Sequence, residues 1–301
     1  MIKNKKEKDK KVGKEAEGEV REARSAIDAI LNSTLDGVYA TDKDGKILMH
    51  NDIFLSLWKI PKKLVKHRPD NRILEIINNK VVDREKFLKR INELHSMEDD
   101  SIDIIALKDG RFFKRSSSSM KQDNKITGRV WTFIDITEQK KAEEKIWYLS
   151  FHDKMTGLYN RAFFKEELKR LNTRRRLPLS IVFCDLNRLR EINNNFGYER
   201  GDLLLRRFSE VLKSCFRNED VVVRWSGDEF VMILPNTSEM DVENVIKRIQ
   251  RKCKQRSKRN MPLSATIGTA TKNKVSQNID LIVNDAEKKM NANKKAQETG
   301  A

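Results

Sequence analysis

The stretch RWSGDEF, residues 224–230, places two adjacent carboxylates, Asp228 and Glu229, directly after a Ser-Gly pair. The apolar runs VVV and VMIL flank this stretch and predict two strands. Because serine and glycine favour tight turns, we expect a β-hairpin with both carboxylates at or next to its tip. Taken alone, the stretch is most typical of a polar hairpin tip in solvent, and only the further motifs below favour a catalytic site.

A third carboxylate, Asp185, ends the continuous apolar run LSIVFCDLN at residues 179–187, which is typical of a buried strand. If the hairpin pairs beside that strand, Asp185 and Asp228 converge. Two carboxylates with an adjacent backbone carbonyl suit Mg²⁺, a hard ion that takes a few protein oxygens together with substrate phosphates. Such a site is typical of nucleotidyl transfer, in which metal ions polarise a phosphate and stabilise the departing pyrophosphate.

Three further motifs accompany the hairpin: DKMTGLYNR at residues 153–161, DLNRLREINNNFGYERGD at 185–202 and RNED at 217–220. With SGDEF, their types, order and spacing resemble the GGDEF domain of diguanylate cyclases. The resemblance implies an α/β domain over residues 151–301, with a central mixed sheet flanked by helices, like nucleotidyl cyclases and the polymerase palm. It also implies condensation of two GTP molecules to cyclic di-GMP and pyrophosphate by a homodimer, because each domain would bind one GTP.

Carried over position by position, the resemblance assigns roles around the metal. Asp185 and Asp228 would hold Mg²⁺ or Mn²⁺ through their carboxylates, and the Leu186 carbonyl would complete the protein ligands. Glu229 would assist the metal or the proton transfer from the 3′-hydroxyl. Lys294, in the motif AEKKMNANK, lies where a lysine of the family meets the phosphates.

The resemblance also implies contacts to the nucleotide. The expected residues are Arg188, Leu189, Arg190, Asn193, Tyr198 and Asp202. The backbone of residues 188–190 would cradle the triphosphate, with Arg190 at a position where the family usually has lysine. Asn193 and Asp202 would read guanine, since a carboxylate can accept from the N1 and N2 donors and an amide can pair with the acceptors. Tyr198 replaces a histidine of the usual pattern.

RNED matches the RxxD pattern of the inhibitory product site in this family. Arg217 can pair with guanine O6 and N7 and also meet phosphate, while Asp220 can accept from the base edge. A surface salt bridge is the alternative interpretation. Two departures bear on activity: Ser226 replaces the first glycine of the signature, and Glu298 stands where a phosphate-contacting arginine is expected.

The first half of the chain has the pattern of a smaller α+β module. GVYATD and KILMHN flank Asp44-Gly45, and SIDIIALK and RFFKRSSSSM flank Asp109-Gly110, so each pair predicts a hairpin. Residues 54–94 are rich in apolar residues at helical spacing, and GRVWTFIDIT predicts a last strand. The order of elements, the entry LNSTLDGVYATDKDGKILMHN and the exit GRVWTFIDITEQKKAEE resemble a PAS sensor domain with an antiparallel sheet and short helices, over residues 25–139.

The PAS resemblance does not identify a ligand. A haem would need a suitably placed histidine, and His50, His67 and His95 are candidates that are more typical of ordinary polar residues. No cysteine lies in this region, which excludes a flavin–cysteine adduct. A small-molecule pocket and a purely structural role in dimerisation both remain open.

Two helical segments flank the PAS region. Residues 1–24 form a lysine-rich tail and the start of an amphipathic helix, in which apolar residues recur at heptad spacing from Ala16 to Ile30. That helix could pair with its own copy or pack on the next domain. Residues 140–150 predict a second helix between the domains, which could transmit a register change or serve as a plain linker.

Composition narrows the class of protein. The 301 residues fit about two domains, 36% of them are charged and no apolar run is long enough to span a membrane. The N-terminal residues lack the apolar region of a secretory signal, and the three cysteines have no paired spacing, so we expect a cytoplasmic protein with reduced thiols.

The net charge of +17 favours anionic partners, including nucleotides. Residues 247–259 hold eight basic residues and no acidic one, which indicates a solvated helix face or, as a less favoured hypothesis, a nucleic-acid site. A third hypothesis is a catalytically weak domain that acts as a receptor for GTP or cyclic di-GMP.

Overall fold

The structure, a computed structural model, describes residues 2–65, 72–123, 125–258 and 261–299. The chain divides into two compact units, Met1–Glu143 and Glu144–Ala301. His67 and Arg259 lie outside the described residues, as do the side chains of Ala16 and Glu298. The predictions that concern these side chains therefore stay predictions.

The first unit contains a five-stranded antiparallel sheet in the order β2-β1-β5-β4-β3. Its strands are β1 Gly37–Asp42, β2 Ile47–His50, β3 Ser101–Ala106, β4 Phe112–Gln122 and β5 Lys125–Asp135. Both predicted hairpins are present, and Gly45 and Gly110 take φ values of 80° and 83° at their turns. These backbone angles suit glycine, which explains the Asp-Gly pairs.

Short helices cover one face of this sheet, as the apolar spacing over residues 54–94 predicts. The helices of the first unit are α1 Ile2–Ser33, α2 Asp52–Leu57, α3 Lys62–Val65, α4 Arg72–Lys80 and α5 Arg84–Ser96. The core contains Trp58, which meets the rings of Phe113 and Phe133 edge-on at 5.1 and 5.3 Å between centroids. All three side chains are buried, so aromatic packing holds helices and sheet together.

The second unit contains a four-stranded sheet in the order β7-β8-β6-β9. Its strands are β6 Leu179–Leu186, β7 Val221–Ser226, β8 Glu229–Leu234 and β9 Ala265–Lys272. All three strand pairs are antiparallel, and among the described residues the sheet is mixed only through a parallel bridge between Tyr159 and Val223. The hairpin does pair beside the strand of Asp185, as the sequence predicts.

Helices pack on both faces of this second sheet. The helices that follow the PAS-like sheet are α6 Thr137–Phe151, which covers the predicted interdomain helix, and then α7 Arg161–Leu171, α8 Leu189–Phe196, α9 Tyr198–Cys215, α10 Glu239–Arg256 and α11 Ile279–Thr299. The eight residues of β6 are all buried. Successive residues of a strand point to opposite faces, and accordingly Val182 and Cys184 join one core with Phe208, while Ile181 and Phe183 join another with Met290.

Helix α11 packs unusually close to β9. A Cβ atom on Gly268 would lie 2.1 Å from the Met290 nitrogen and 2.4 Å from the Ala286 carbonyl oxygen. Only glycine permits that approach, because any side chain would overlap the helix backbone. The contact fixes the position of α11 about one turn before Lys294.

The amphipathic helix α1 keeps its apolar heptad positions accessible in the single chain. Val20, Ile27 and Ile30 are 69%, 49% and 66% exposed. The end of the helix is attached to the PAS-like sheet, because the Asn51 amide donates to the Leu31 carbonyl at 2.9 Å. The last turn of α1 therefore packs on the domain that follows it. That the exposed Val20, Ile27 and Ile30 pair with a second copy of the helix stays a prediction.

Three other predictions concern the whole chain. Cys184, Cys215 and Cys253 are buried and form no disulfide. In the first unit, His95 has both ring nitrogens in hydrogen bonds within the protein, to Ile91 O at 2.9 Å and Thr41 Oγ1 at 3.3 Å, as expected of an ordinary polar histidine. Within the described ranges, every helix is too short or too polar to cross a bilayer.

Candidate active site

Strand register brings two of the predicted carboxylates onto one face of the second sheet. Asp185 on β6 pairs directly with Glu229 on β8. Because side chains alternate along a strand, Asp185 lies on the same face of β6 as Ile181 and Phe183. Glu229 likewise lies on the same face of β8 as Val231 and Ile233. These four apolar side chains belong to the core beneath α7 and α11. The two carboxylates therefore lie at the end of the face that α11 covers.

The hairpin tip is held from two sides. Gly227 takes φ 44° at the turn, and its carbonyl accepts from the Arg224 Nε and Nη2 atoms at 3.0 and 2.7 Å. The Arg224 Nη1 atom also donates to Asp153 Oδ1 at 3.1 Å, which connects the tip to the loop before α7. On the other side, the Leu186 amide donates to the Asp228 carbonyl at 2.9 Å, so Asp228 is fixed beside the end of β6.

Asp185 is a buried carboxylate with one oxygen paired and one unpaired. The residue is 2% exposed, and its Oδ2 accepts from Lys294 Nζ at 2.6 Å. Its Oδ1 is buried and has no hydrogen-bond partner among the described residues. Burial raises the pKa of Asp185 above the usual carboxyl value; Lys294 opposes this rise, while the negative charges of Asp228 and Glu229 add to it.

This donor set fits a divalent cation. The unpaired Asp185 Oδ1 needs a positive partner, and Asp228 is hydrogen-bonded to the amide of Leu186, the residue whose carbonyl the resemblance names as the third ligand. Nowhere in the described ranges do three or more His, Cys, Asp or Glu side chains form a metal-binding group. A site of two carboxylates and a carbonyl is what Mg²⁺ uses when substrate phosphates supply further oxygens.

The segment after β6 turns sharply into α8. Arg188 takes φ 63° at the N-cap of this eight-residue helix, and its side chain is 64% exposed. The first amide groups of a helix lack partners within it and favour anions. The predicted triphosphate-binding backbone, residues 188–190, therefore lies at a helix N-terminus directly after β6.

The predicted guanine contacts lie on the next two helices. Asn193 is on α8, and Tyr198 and Asp202 are on α9, which packs against α8. The Asn193 Oδ1 atom is buried without a partner, and a Cβ atom on Gly201 would approach it to 1.8 Å. The structure thus brings Asn193 next to the turn of α9 that carries Asp202. Tyr198 is 79% exposed, and its role stays a prediction.

Ser226 donates a hydrogen bond that the sequence does not reveal. Its hydroxyl lies 2.5 Å from Glu229 Oε2. The positive φ of the turn falls on Gly227, so serine occupies position 226 without the backbone strain that φ > 0 would impose. The serine therefore touches one of the two carboxylates instead of merely replacing a glycine.

Comparisons with known proteins agree with this arrangement. Residues 150–299 match the family model of the diguanylate cyclase GGDEF domain, and residues 31–144 match a model of the PAS fold. The chain carries a PAS domain followed by a GGDEF domain. The predicted order of the two domains is thereby confirmed, while the predicted boundaries at residues 25, 139 and 151 stay predictions.

Curated relatives match part of this chain. The diguanylate cyclase DgcM of Escherichia coli K12 is 39% identical over 108 residues, which cover 34% of this chain and 26% of DgcM. The cyclic di-GMP phosphodiesterase PdeR of the same organism is 34% identical over 116 residues, covering 38% of this chain and 18% of PdeR. The matched segment spans about a quarter or less of these relatives, which carry different activities in their names.

A solved structure shows the same fold. The coiled coil and GGDEF domain of DgcB from Caulobacter crescentus, crystallised with c-di-GMP, has a TM-score of 0.50 and 19% sequence identity. The match covers 54% of this chain and 89% of that one. At this identity the likeness concerns the fold.

The RNED segment of the GGDEF domain borders a polar cavity of about 230 Å³. Asp220 Oδ2 accepts from the Arg217 amide at 2.8 Å, and the Arg217 side chain is 71% exposed near Glu219 at 3.6 Å. Burial raises the pKa of Asp220, and the Arg217 amide opposes this rise. The salt bridge of the Arg217 side chain is therefore formed with Glu219. Arg217 and Asp220 both border the cavity.

Arg248 is a residue of this cavity that the sequence motif did not include. It reaches the cavity from α10, and its buried Nε atom has no partner among the described residues. Its sequence context is one of many basic residues between 247 and 259, so only the packing of α10 against α9 distinguishes it from its neighbours.

Proposed function

We propose that this chain is a diguanylate cyclase that condenses two GTP molecules to cyclic di-GMP and two pyrophosphates. The observation that carries the proposal is the pairing of Asp185 with Glu229 in the sheet, beside the bond from the Leu186 amide to the Asp228 carbonyl, with Lys294 hydrogen-bonded to Asp185 at 2.6 Å. This acidic site lies beside a helix N-terminus that suits a triphosphate. The match to the cyclase family over residues 150–299 supports the same activity.

The residues divide the chemistry as follows. Asp185, Asp228 and the Leu186 carbonyl hold Mg²⁺ or Mn²⁺, which when bound polarises the α-phosphate and neutralises charge on the leaving pyrophosphate. The amides of residues 188–190 bind the triphosphate, and Lys294 can move from Asp185 to a phosphate oxygen. Asn193 and Asp202 orient the guanine base through its hydrogen-bonding edge.

Each condensation step forms one bond between a 3′-oxygen and an α-phosphorus and breaks the bond from that phosphorus to the β-phosphate oxygen. Glu229 takes the proton of the attacking 3′-hydroxyl or helps to hold the metal, and pyrophosphate leaves. The step occurs twice, with each GTP attacking the other. Two domains must therefore face each other, and a homodimer is part of the proposal.

Regulation is assigned to the parts outside the active site. The PAS domain and α6 would control how two GGDEF domains meet, since an error of about 1 Å can lower a rate about a hundredfold. Cyclic di-GMP would inhibit by binding Arg217, Asp220 and Arg248. We place the protein in the cytoplasm, where GTP is available and thiols such as its three free cysteines stay reduced.

A second candidate function is a receptor for GTP or cyclic di-GMP with little turnover. The polar cavity at Arg217, Asp220 and Arg248 favours it, because this site is built from residues other than the metal-site carboxylates. Glu298 at the position of an expected phosphate-binding arginine also favours it. Nucleic-acid binding through residues 247–258 gains no support beyond charge.

One experiment separates the two candidates. Purified full-length protein is incubated with GTP and Mg²⁺, nucleotides are separated by chromatography, and GTP binding is measured in parallel by calorimetry with a non-hydrolysable analogue. The cyclase proposal expects cyclic di-GMP from the wild type and none from Asp228→Asn. Analogue binding without any cyclic di-GMP from the wild type would refute the cyclase and support the receptor.

A further inference from the structure

Thr266 lies beside the proposed metal site and has no role in the chemistry assigned there. It pairs directly with Asp185 in the register of β9 and β6, on the side of β6 opposite to Glu229. Side chains of directly opposite residues lie on the same face of a sheet, so Thr266 lies on the face that α11 covers. The residue is 1% exposed, and its hydroxyl is therefore buried next to the metal-site carboxylate.

The Thr266 hydroxyl joins two amide side chains from different elements. Its Oγ1 atom lies 2.8 Å from Asn187 Oδ1 and 2.8 Å from Gln297 Oε1. A hydroxyl carries one proton and can also accept, so it donates to one amide and accepts from the NH2 group of the other. The Asn187 Nδ2 atom already donates to Ser264 Oγ at 3.2 Å, which leaves Gln297 as the amide that turns its NH2 group to Thr266. The bonds then run in one direction, from Gln297 through Thr266 to Asn187.

Asn187 stands directly before the turn assigned to the triphosphate. The next residue, Arg188, takes φ 63°, a left-handed conformation that is unfavourable for residues other than glycine. Surrounding contacts must hold such a residue in place. Asn187 supplies them, because its amide donates to the Ser264 carbonyl at 3.0 Å and its side chain bonds to Thr266 and Ser264. The direction in which residues 188–190 leave β6 is therefore fixed from the start of β9.

Gln297 connects the same turn to the end of α11. Three residues earlier on this helix, Lys294 donates to Asp185 Oδ2 at 2.6 Å. Residues at this spacing lie on the same face of a helix. Asn293 Nδ2 donates to the Ile267 carbonyl at 2.9 Å, so the last turns of α11 are bonded to both β6 and β9. A shift of α11 would therefore move Lys294 and loosen this turn at the same time.

We propose that Thr266 and Gln297 are positioning residues for the nucleoside triphosphate. Through Asn187 they hold residues 188–190 in the conformation that presents the amide groups at the N-terminus of α8 to the phosphates. This inference rests on the proposed function, because it assigns a support to the turn that binds the substrate there. Both residues act through Asn187, so their loss weakens binding of the triphosphate without removing a group that reacts.

Thr271, further along β9, offers a matched control. It is 7% exposed, and its hydroxyl lies 2.7 Å from the hydroxyl of Ser180. Thr271 lies about 17 Å from Thr266, at a rise of about 3.4 Å per residue. Thr271→Val therefore removes a buried hydroxyl from the same strand, far from the turn.

The test is calorimetric titration of the full-length protein with Mg²⁺ and a non-hydrolysable GTP analogue. Thr266→Val removes the hydroxyl at nearly constant shape and should raise the dissociation constant about tenfold, the equivalent of about one hydrogen bond. Thr266→Ser keeps the hydroxyl and should restore binding, and Thr271→Val should bind as the wild type does. In the turnover assay, Thr266→Val should raise the KM for GTP with kcat nearly unchanged, because a contact that only supports binding is lost.

A second variant covers the case in which Thr266→Val does not fold. Gln297→Met changes an exposed residue and should weaken analogue binding about three- to tenfold, since one bond of the same chain is lost. The inference is overturned if both variants bind the analogue as the wild type does, or if Thr271→Val loses as much affinity as they do.

Analogue binding is measured without turnover, which separates this inference from the cyclase itself. A wild type that binds the analogue, with weaker binding in the two variants but no cyclic di-GMP formed, contradicts the cyclase alone. An active wild type whose affinity is unchanged in both variants overturns the inference alone. A wild type that does not bind the analogue overturns both.

Discussion

Asp185 in the GGDEF domain and Arg115 in the PAS domain are buried charges of opposite sign with the same incomplete pairing. Each is 2% exposed. Asp185 has one oxygen on Lys294 at 2.6 Å and one without a partner, while Arg115 has one nitrogen on Asp103 at 2.7 Å and two without. Burying an incompletely paired charge is costly, so at both positions the fold maintains a charge at a cost in stability.

The two sites differ in what surrounds the charge. Asp185 lies near the end of the inner strand β6, next to Glu229 of β8 and shortly before the N-terminus of α8, a setting that suits a metal ion and phosphates. Arg115 lies against the rings of Phe87 and Trp131, which attract its positive charge but offer no oxygen in line with its N–H groups. The comparison teaches that the neighbours of a buried charge, and not only its sign, decide what can complete its pairing.

The largest effect is expected from neutralising the metal-site charge. Asp185→Asn should lower the rate of cyclic di-GMP formation about a thousandfold, because a metal ion contributes several kcal/mol of transition-state stabilisation. The rate is measured by chromatography of nucleotides at saturating GTP. Asp280→Asn, the same exchange at an exposed position of α11, should leave the rate unchanged. Equal rates for wild type and Asp185→Asn would contradict the assignment of Asp185 to a metal site.

Removing the partner of Arg115 should destabilise the PAS domain. Asp103→Asn leaves a buried guanidinium without a carboxylate and should cost about 2–3 kcal/mol in the free energy of unfolding, discounted from a fully buried pair because Asp103 is 26% exposed. The free energy is measured by urea denaturation. If the additional change Arg115→Met does not restore stability, the unpaired guanidinium is not the cause.

The same variant should lose its effect in acid. Burial alone would raise the pKa of Asp103, but its contacts with Arg115, Ser101 and Arg90 hold it below its usual value. A carboxyl with a lowered folded-state pKa stabilises the protein above its unfolded pKa of about 3.9 and ceases to do so as the pH falls through the folded value. The stability difference between wild type and Asp103→Asn should therefore be full at pH 7 and vanish in strong acid. A difference that persists there would contradict this assignment.

The sequence predicts the surroundings of Asp185 but not those of Arg115. Asp185 ends a strand within a set of spaced motifs, so its role and its neighbour Asp228 follow from the pattern. Arg115 stands at an inward position of RFFKRSSSSM, between Phe113 and Ser117, which are both buried. Strand alternation could have marked it as a charge on the core face, but its partners Asp103 and Phe87 come from other elements that sequence spacing does not connect.

The fold likewise has features that local sequence predicts and features that it does not predict. Hairpins and strands were predictable because Asp-Gly turns and apolar runs are local signals, whereas strand order and the position of Arg248 depend on packing between distant segments. The Ser226 contact to Glu229 was also hidden, since it depends on the geometry of one turn.

A moderate effect is expected at the product cavity. Arg248→Ala should raise the concentration of cyclic di-GMP needed for half-inhibition about tenfold, because a charged hydrogen-bond donor to the nucleotide is lost. Inhibition is measured by adding cyclic di-GMP to the turnover assay. Arg251→Ala, on the exposed face of the same helix, should retain normal inhibition. If both variants behave alike, general positive charge and not this cavity attracts the product.

The smallest effect is expected from the serine of the signature. Ser226→Gly removes the hydroxyl that lies 2.5 Å from Glu229, which should leave Glu229 Oε2 free to meet the attacking 3′-hydroxyl and raise turnover about threefold, the size of one ordinary hydrogen bond. Ser226→Ala removes the hydroxyl without adding backbone freedom and should give the same increase. A rise in the glycine variant alone would assign the effect to the backbone.

The central claim is tested most directly by the stoichiometry of the wild-type reaction with Mg²⁺ and GTP. Cyclic di-GMP is measured by chromatography and pyrophosphate by a coupled enzymatic assay on the same samples. The account predicts one cyclic di-GMP and two pyrophosphates for every two GTP consumed, with no product in excess EDTA. Release of GDP and inorganic phosphate, or GTP that stays intact while Mg²⁺ is saturating, would contradict it.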